Sequence, residues 1–355
     1  MSARPGFWAG LAAGLLRPSA LAVGVALAGA ALTLVLGLRS ADEALLRSAQ
    51  LAVDPTDDYA FLAAAAHRLP PPPGAVIVLG SSALREAITD PAALATAAGV
   101  PVTALWTAGG LSHLELLTLV DRLPPDPRRL TLVELSERNL SLRAAEAQAL
   151  LDRPRLPLDG PTQDAAAARA GLRPPRREAA LALRHPGFFL ARLPALTRLG
   201  QPAPAPIQHQ IEALALARPE DEARWARRLA AWWADLPAEA ARNTMLYADL
   251  VAALQAKGGA VLLVAAPRNP SIVAAAAALP GAAGGPAAAQ AARAAAAQAA
   301  GAALVDPATG LDLRPEDYAD YAHLVRPTAR ARFTAALGNA ARAAAPPARP
   351  PGRRP

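Results

Sequence analysis

Two short segments near opposite ends of the chain carry residue types that could share one reaction. The first is Val78-Leu79-Gly80-Ser81-Ser82-Ala83-Leu84-Arg85. Its glycine permits a tight strand-to-helix turn. A serine in the first turn of the following helix holds its hydroxyl near the positive helix end, which favours an alkoxide or a neighbouring oxyanion. By itself this pattern also fits a plain helix N-cap. The second is Asp317-Tyr318-Ala319-Asp320-Tyr321-Ala322-His323-Leu324. The spacing puts Asp320 and His323 on the same side of one turn of chain. A carboxylate there can hold an imidazole in one tautomer and stabilise its charged form. The imidazole can then activate a serine. By itself Asp-x-x-His also fits an ordinary surface turn.

The elements that must position these residues are legible as short apolar runs. Ala75–Leu79, Val102–Trp106, Leu130–Leu135, Ala260–Ala265 and Ala302–Val305 read as buried strands. Continuous apolar runs without alternation suit a parallel sheet covered on both faces. Helical patterns lie between them at Ser82–Ile88, Leu111–Arg122, Met245–Ala256 and Ala287–Ala300, with a final helix at Pro327–Arg342. This βαβα alternation predicts an open α/β fold. Between Asn139 and Met245 no strand is evident, so residues 141–244 are expected to be a helical insertion. Its best helix is Glu220–Leu236, with Trp225, Leu229 and Trp232 on one face and Trp233 beside them, a stripe expected to pack into a core.

The order of the motifs resembles the SGNH, or GDSL-like, hydrolase superfamily. Gly80-Ser81-Ser82 matches its nucleophile block after the first strand. Ala108-Gly109-Gly110-Leu111-Ser112 matches the glycine block after the second. Asn139, in Ser136-Glu137-Arg138-Asn139-Leu140, matches the asparagine after the third. Asp320 and His323 match the closing Asp-x-x-His before the last helix. The resemblance covers roughly residues 75–139 and 260–342. It implies a three-layer α/β/α fold on a parallel, flavodoxin-like sheet, with a domain formed by residues 74–140 and 245–342. It also implies Ser82 as nucleophile, His323 as general base and Asp320 as its orienting acid. The oxyanion hole would comprise the N–H of Ser82, the N–H of Gly110 or Gly109, and the Asn139 amide. Two departures stand out: Ser81 replaces the usual acid before the nucleophile, and the third block lacks Gly-x-Asn-Asp. The Gly-Ser-Ser form and Asp-x-x-His-Leu look most like the envelope branch, which includes DltD and the alginate O-acetylation proteins. Arg268 and Asn269, after the fourth strand, are possible substrate contacts at the carboxyl edge of the sheet.

Location follows from the N-terminal segment. Residues 19–38 form an uncharged run long enough for one transmembrane helix. Arg4 and Arg17 precede it, so residues 1–18 are expected in the cytoplasm and the bulk of the chain on the periplasmic side of an inner membrane. A cleaved signal peptide ending near Ala28-Gly29-Ala30 is the alternative. Residues 39–73 read as a stalk ending in Pro70–Pro73, and residues 343–355 as a disordered tail. The chain of 355 residues has a formal charge of +7, but its arginines are scattered among acids, which argues against nucleic acid. It has no cysteine, so disulfides are excluded. His67, His113, His185 and His209 show no metal-ligand spacing, and His113, which follows the glycine block, is expected on a helix surface, with lining of the site as the alternative. No phosphate-loop or dinucleotide motif occurs, so no metal or cofactor is expected. The expected activity is that of an exported serine acyltransferase or esterase, with an envelope glycan or other acyl-carrying substrate and a membrane-bound O-acyltransferase as partner. The alternatives are a non-catalytic scaffold of the same fold and a lipid-directed esterase.

Overall fold

The computed structural model describes residues 23–32, 69–106, 113–152, 160–174, 219–282 and 284–346. Five strands form one parallel sheet: β1 (Val76–Gly80), β2 (Val102–Trp106), β3 (Leu130–Glu134), β4 (Ala260–Val264) and β5 (Ala303–Val305). Their order is β2-β1-β3-β4-β5. The apolar runs form strands because β-branched and leucine side chains fill both faces; every residue of β1 and β3 is buried. The predicted strands are all present, with ends shifted by a residue in four of the five. The strand order reverses between β1 and β3, and such a switch point opens a crevice at the carboxyl edge of a parallel sheet.

The helices are α1 (Ser82–Ala87), α2 (Pro91–Ala98), α3 (His113–Val120), α4 (Glu137–Leu140), α5 (Ala144–Leu151), α6 (Pro161–Arg169), α7 (Pro219–Ala256), α8 (Pro270–Ala277), α9 (Gly285–Ala300) and α10 (Pro327–Ala344). α10 packs on α1 and α2, while α7 packs on α3, α4, α6, α8 and α9. With the sheet between two such groups, the arrangement is consistent with three α/β/α layers. The contact of α10 with α2 is close: a Cβ at Gly338 would lie 2.3 Å from that of Ala97. Glycine there lets the two backbones approach where any side chain would collide.

The main difference from the sequence reading is α7. Glu220–Leu236 and Met245–Ala256 were expected as separate helices on either side of a domain boundary, and they are one helix of 38 residues. Pro237 lies inside it and donates no N–H to the helix ladder. The break is tolerated because the helix is buried on both sides of it: Leu229, Trp233 and Leu236 before, Leu246, Tyr247 and Leu250 after. Tertiary packing thus overrides a local helix breaker, and the last part of the expected insertion belongs to the core of the domain. Helices α2, α4 and α8 are short and were not anticipated, whereas α5 and α6 lie within the expected helical insertion. α10 extends two residues into the expected tail; residues 347–355 lie outside the described residues, as do the stalk up to residue 68 and most of the proposed membrane run. Residues 23–32 of that run are helical and exposed, with Val25, Leu27 and Leu32 each at least 60% accessible. No helix among the described residues is long and apolar enough to cross a membrane.

Candidate active site

β1 delivers the chain to the carboxyl edge at Gly80. A Cβ there would meet Leu84 Cδ1 at 2.9 Å and Glu134 Oε2 at 3.3 Å, so the turn needs glycine for close approach. Ser81 follows as the N-cap of α1. Its Oγ accepts the Ala83 N–H at 3.1 Å and donates to Glu134 Oε2 at 2.8 Å, while its own N–H donates to Glu134 Oε2 at 2.7 Å. The Ser81 N–H and hydroxyl are therefore committed to Glu134 and the cap, and its carbonyl accepts the Arg85 N–H at 3.1 Å. Ser82 is the first residue of the helix proper. Its N–H is one of the orphan donors of the first turn and finds no acceptor among the described residues.

Ser82 Oγ meets His323 Nε2 at 2.9 Å, and His323 Nδ1 meets Asp320 Oδ2 at 2.7 Å. A carboxylate accepts only, so Nδ1 carries the proton. The neutral ring then presents Nε2 as acceptor, and Ser82 Oγ–H donates to it. The other carboxylate oxygen, Asp320 Oδ1, accepts the N–H groups of Ala322 at 3.0 Å and His323 at 3.1 Å. Burial alone would raise the Asp320 pKa, but the hydrogen bond and charge of His323 and those two N–H groups outweigh it and hold the acid below its usual range. All three side chains that the sequence singled out meet in one line, although Ser82 and His323 are 241 positions apart.

Two clamps hold this line. The peptide of Asn269 donates to Tyr321 O at 2.8 Å, and its side-chain amide donates to Asp320 O at 3.1 Å, tying the Asp-x-x-His turn to the exit of β4. Arg330 of α10 donates through Nε to Glu86 O at 2.8 Å and Leu324 O at 2.9 Å, and through Nη2 to Glu86 Oε2 at 3.1 Å. Glu86 also pairs with Arg85 at 2.9 Å. One buried guanidinium thus joins the end of the nucleophile helix to the residue after His323. Removing one member of such a buried network leaves an uncompensated charge.

No family model matches the chain, and no curated protein matches it.

The remaining expected site residues are placed differently. Asn269 is fully buried and also caps α8 through its Oδ1. Arg268 is bound to Glu137 at 2.8 Å and stacks over Tyr321 at 5.5 Å from the ring centre. Arg293 holds the other Glu137 oxygen at 3.1 Å. Burial would raise the Glu137 pKa, yet the two arginines pull it down to about 2. Asn139 Nδ2 donates to Tyr247 Oη at 3.1 Å, and Tyr247 Oη donates to the Glu134 carbonyl at 2.9 Å. The structure gives that amide a partner on α7, and no contact between it and Ser82 is present. Gly109 and Gly110 lie outside the described residues.

His113 is the plainest correction. It was expected on a helix surface, but it is fully buried and stacked on Tyr247 with ring centres 4.6 Å apart. Burial, with the Arg242 charge adding to it, lowers its pKa to about 3, so the ring is neutral at physiological pH. Neither ring nitrogen has a hydrogen-bond partner among the described residues. The tryptophan stripe divides in a similar way. Leu229 and Trp233 enter the core, whereas Trp225 and Trp232 are half-buried and lie against Tyr321, at 4.6 Å and 5.4 Å between ring centres. Tyr321 itself meets the His323 ring edge-on at 6.2 Å.

Sequence reading missed Glu134, Tyr321 and Arg330. Glu134 carried one usable signal: an acid ending an otherwise apolar parallel strand must find a partner at the carboxyl edge.

Proposed function

We propose that the chain is an SGNH-type serine acyltransferase or esterase, anchored by residues 19–38 and acting outside the cytoplasmic membrane on O-acyl groups of an envelope glycan. The observation that carries the reading is the line from Ser82 Oγ to His323 Nε2 to Asp320, at 2.9 Å and 2.7 Å. In the first step His323 Nε2 takes the Ser82 proton as Oγ bonds to the acyl carbonyl carbon. The resulting oxyanion falls within reach of the Ser82 N–H, which has no partner among the described residues and is a donor worth about 2.7–4 kcal/mol to a transition state when preorganised. The bond to the leaving oxygen then breaks, and the imidazolium returns its proton to that oxygen. An acceptor hydroxyl, or water, repeats the two steps in reverse and frees Ser82. Asp320, held ionised, stabilises the imidazolium throughout. The exposed apolar helix at residues 23–32 supports the membrane placement, since contiguous exposed apolar surface marks a membrane or partner contact.

A fluorophosphonate probe is expected to label the full-length protein at Ser82 and not at Ser81. Ser82→Ala should abolish labelling and lower any ester hydrolysis by about 10³-fold or more, with the fold retained. Folded wild-type protein that resists the probe would sink the proposal. The second reading, a non-catalytic scaffold of the same fold, is favoured by the engagement of the Asn139 amide with Tyr247. Full biological function of Ser82→Ala in a complementation assay would decide for it.

A further inference from the structure

Two cations beside the Ser82 site have no counter-charge. Tyr321, whose ring meets His323 edge-on, lies against Trp225 and Trp232 of α7. Guanidinium groups gather over these two indoles. Arg228 stands 5.3 Å from the ring centre of Trp225 and 5.7 Å from that of Trp232. Arg138, in the turn after β3, stands 5.8 Å from the Trp232 centre. Burial raises the pKa of the Tyr321 hydroxyl, and the charges of Arg268 and Arg138 act against that rise. Arg138 therefore lies close to the Asp-x-x-His turn as well as to α7.

The acids of these two helices are largely in use. Asp221 is taken by Arg224, Asp235 by Arg143, and Glu137 by Arg268 and Arg293. Arg138 and Arg228 have no carboxylate partner among the described residues. Attraction to a ring face consumes none of the N–H groups of a guanidinium, so both keep a fork of donors. Two like charges held beside one indole favour an anion between them. The fork matches the oxygens of a carboxylate or a phosphate. Arg228 is exposed, and Arg138, Trp225 and Trp232 are half-buried, so each keeps accessible surface.

We infer that Arg138 and Arg228 together bind an acidic group, a carboxylate or a phosphate, carried by the molecule that enters the Ser82 site. The two tryptophans hold Arg228 in place and fix the distance of that anion from Tyr321 and His323. The pair makes the site select acidic glycan over neutral glycan. That assignment to the substrate rests on the acyl-transfer reading, whereas binding of the anion does not.

The test is arginine modification by phenylglyoxal on the full-length protein in detergent, mapped by peptide mass spectrometry at constant ionic strength. Tetragalacturonate and glucose 1-phosphate serve as the carboxylate and phosphate probes, and maltotetraose as the neutral one. At ~20 mM, one acidic probe or both should slow modification of Arg138 and Arg228 at least threefold, while maltotetraose leaves both rates unchanged. The probe that protects tells carboxylate from phosphate. Arg227, exposed on the same helix and outside the group over the two rings, should react at one rate throughout. In Arg228→Gln, the concentration of acid that half-protects Arg138 should rise about threefold or more. Absence of protection by both acids would overturn the inference. So would equal protection by maltotetraose, equal protection of Arg227, or a half-protecting concentration that Arg228→Gln leaves unchanged. An Arg138 that phenylglyoxal fails to modify would overturn it too, because a ligand must reach the same atoms. Fluorophosphonate labelling of the same sample separates the two claims. Labelling without protection removes the anion site alone, and protection without labelling removes the acyl-transfer reading alone.

Discussion

Two turns leave the carboxyl edge of the sheet side by side, one after β1 and one after β3. Each begins a short helix behind a serine N-cap: Ser81 caps α1, and Ser136 caps α4 through the Asn139 N–H. Each carries a residue matched to a catalytic motif, Ser82 in the first and Asn139 in the second. Their tertiary partners differ. Among the described residues the Ser82 hydroxyl is paired with His323 alone, and its N–H has no partner. In the second turn Glu137 is locked between two arginines, and Asn139 is engaged by Tyr247. A reactive group must have one partner of the right kind and an unfilled side. A group whose bonds are all consumed by neighbours becomes part of the frame. Glu134 connects the two turns: it ends β3, and its carboxylate holds the Ser81 N–H and hydroxyl.

The comparison breaks most visibly at Glu137. Glu137→Gln should destabilise the fold by about 3–5 kcal/mol, because Arg268 and Arg293 would then be buried without a carboxylate. Urea titration at neutral pH measures this; a change below ~1 kcal/mol would show that the second turn is not a frame. The pH dependence has a definite sign. The Glu137 pKa is about 2 in the fold against 4.5 in a free chain, so its contribution is complete above pH 4.5 and is lost as pH falls toward 2. Glu137→Gln should flatten stability across that window.

The next largest effect is expected at Glu134. Glu134→Ala frees the Ser81 N–H and hydroxyl and loosens the nucleophile turn. Fluorophosphonate labelling of Ser82 should slow by about 10²-fold, the worth of a displacement near 1 Å at a reacting centre. Glu134→Gln, which keeps an acceptor, should recover much of that rate. Equal loss in both variants, tracking a common drop in melting temperature, would mean that Glu134 serves only folding.

Asn139→Ala sharpens the contrast between the two turns. If its amide belongs to the frame, the variant loses about 1 kcal/mol of stability and keeps its labelling rate within about threefold. A fall of 10²–10³ in rate would place Asn139 in the oxyanion hole instead. The smallest effect is expected at His113. Its folded pKa of about 3 lies below the unfolded value of 6.5, so the unfolded chain binds the extra proton between those values. Stability from this group is whole above pH 6.5 and declines as pH falls toward 3. His113→Phe should remove that slope while leaving neutral-pH stability nearly unchanged, as measured by thermal melts across the range.

The sequence was most legible where one residue type has few physical uses. Short apolar runs without alternation read as buried strands, and all five are strands. Gly80 before Ser81-Ser82 marked a turn too tight for a side chain. The three-residue step from Asp320 to His323 guaranteed that carboxylate and imidazole could meet, because that distance is set by local backbone geometry. Reading failed where a residue's fate depends on distant partners. Met245–Ala256 has a clear helical pattern, but nothing local to Pro237 says that the helix continues through it. His113 sits in an ordinary helical stretch, and only the arrival of Tyr247 on α7 buries it.

The amino-acid sequence by itself therefore determined the parallel α/β core, the turn that exposes Ser82, and the pairing of Asp320 with His323. These depend on hydrophobic period, on the steric demand of glycine, and on contacts within one turn of chain. Tertiary structure alone decided that His323 reaches Ser82, that Glu134 occupies Ser81, and that Asn139 and Arg268 are bound elsewhere. Each of those is a choice among several chemically adequate partners. It is settled by which side chains the packing of α7 and α10 brings to the sheet edge.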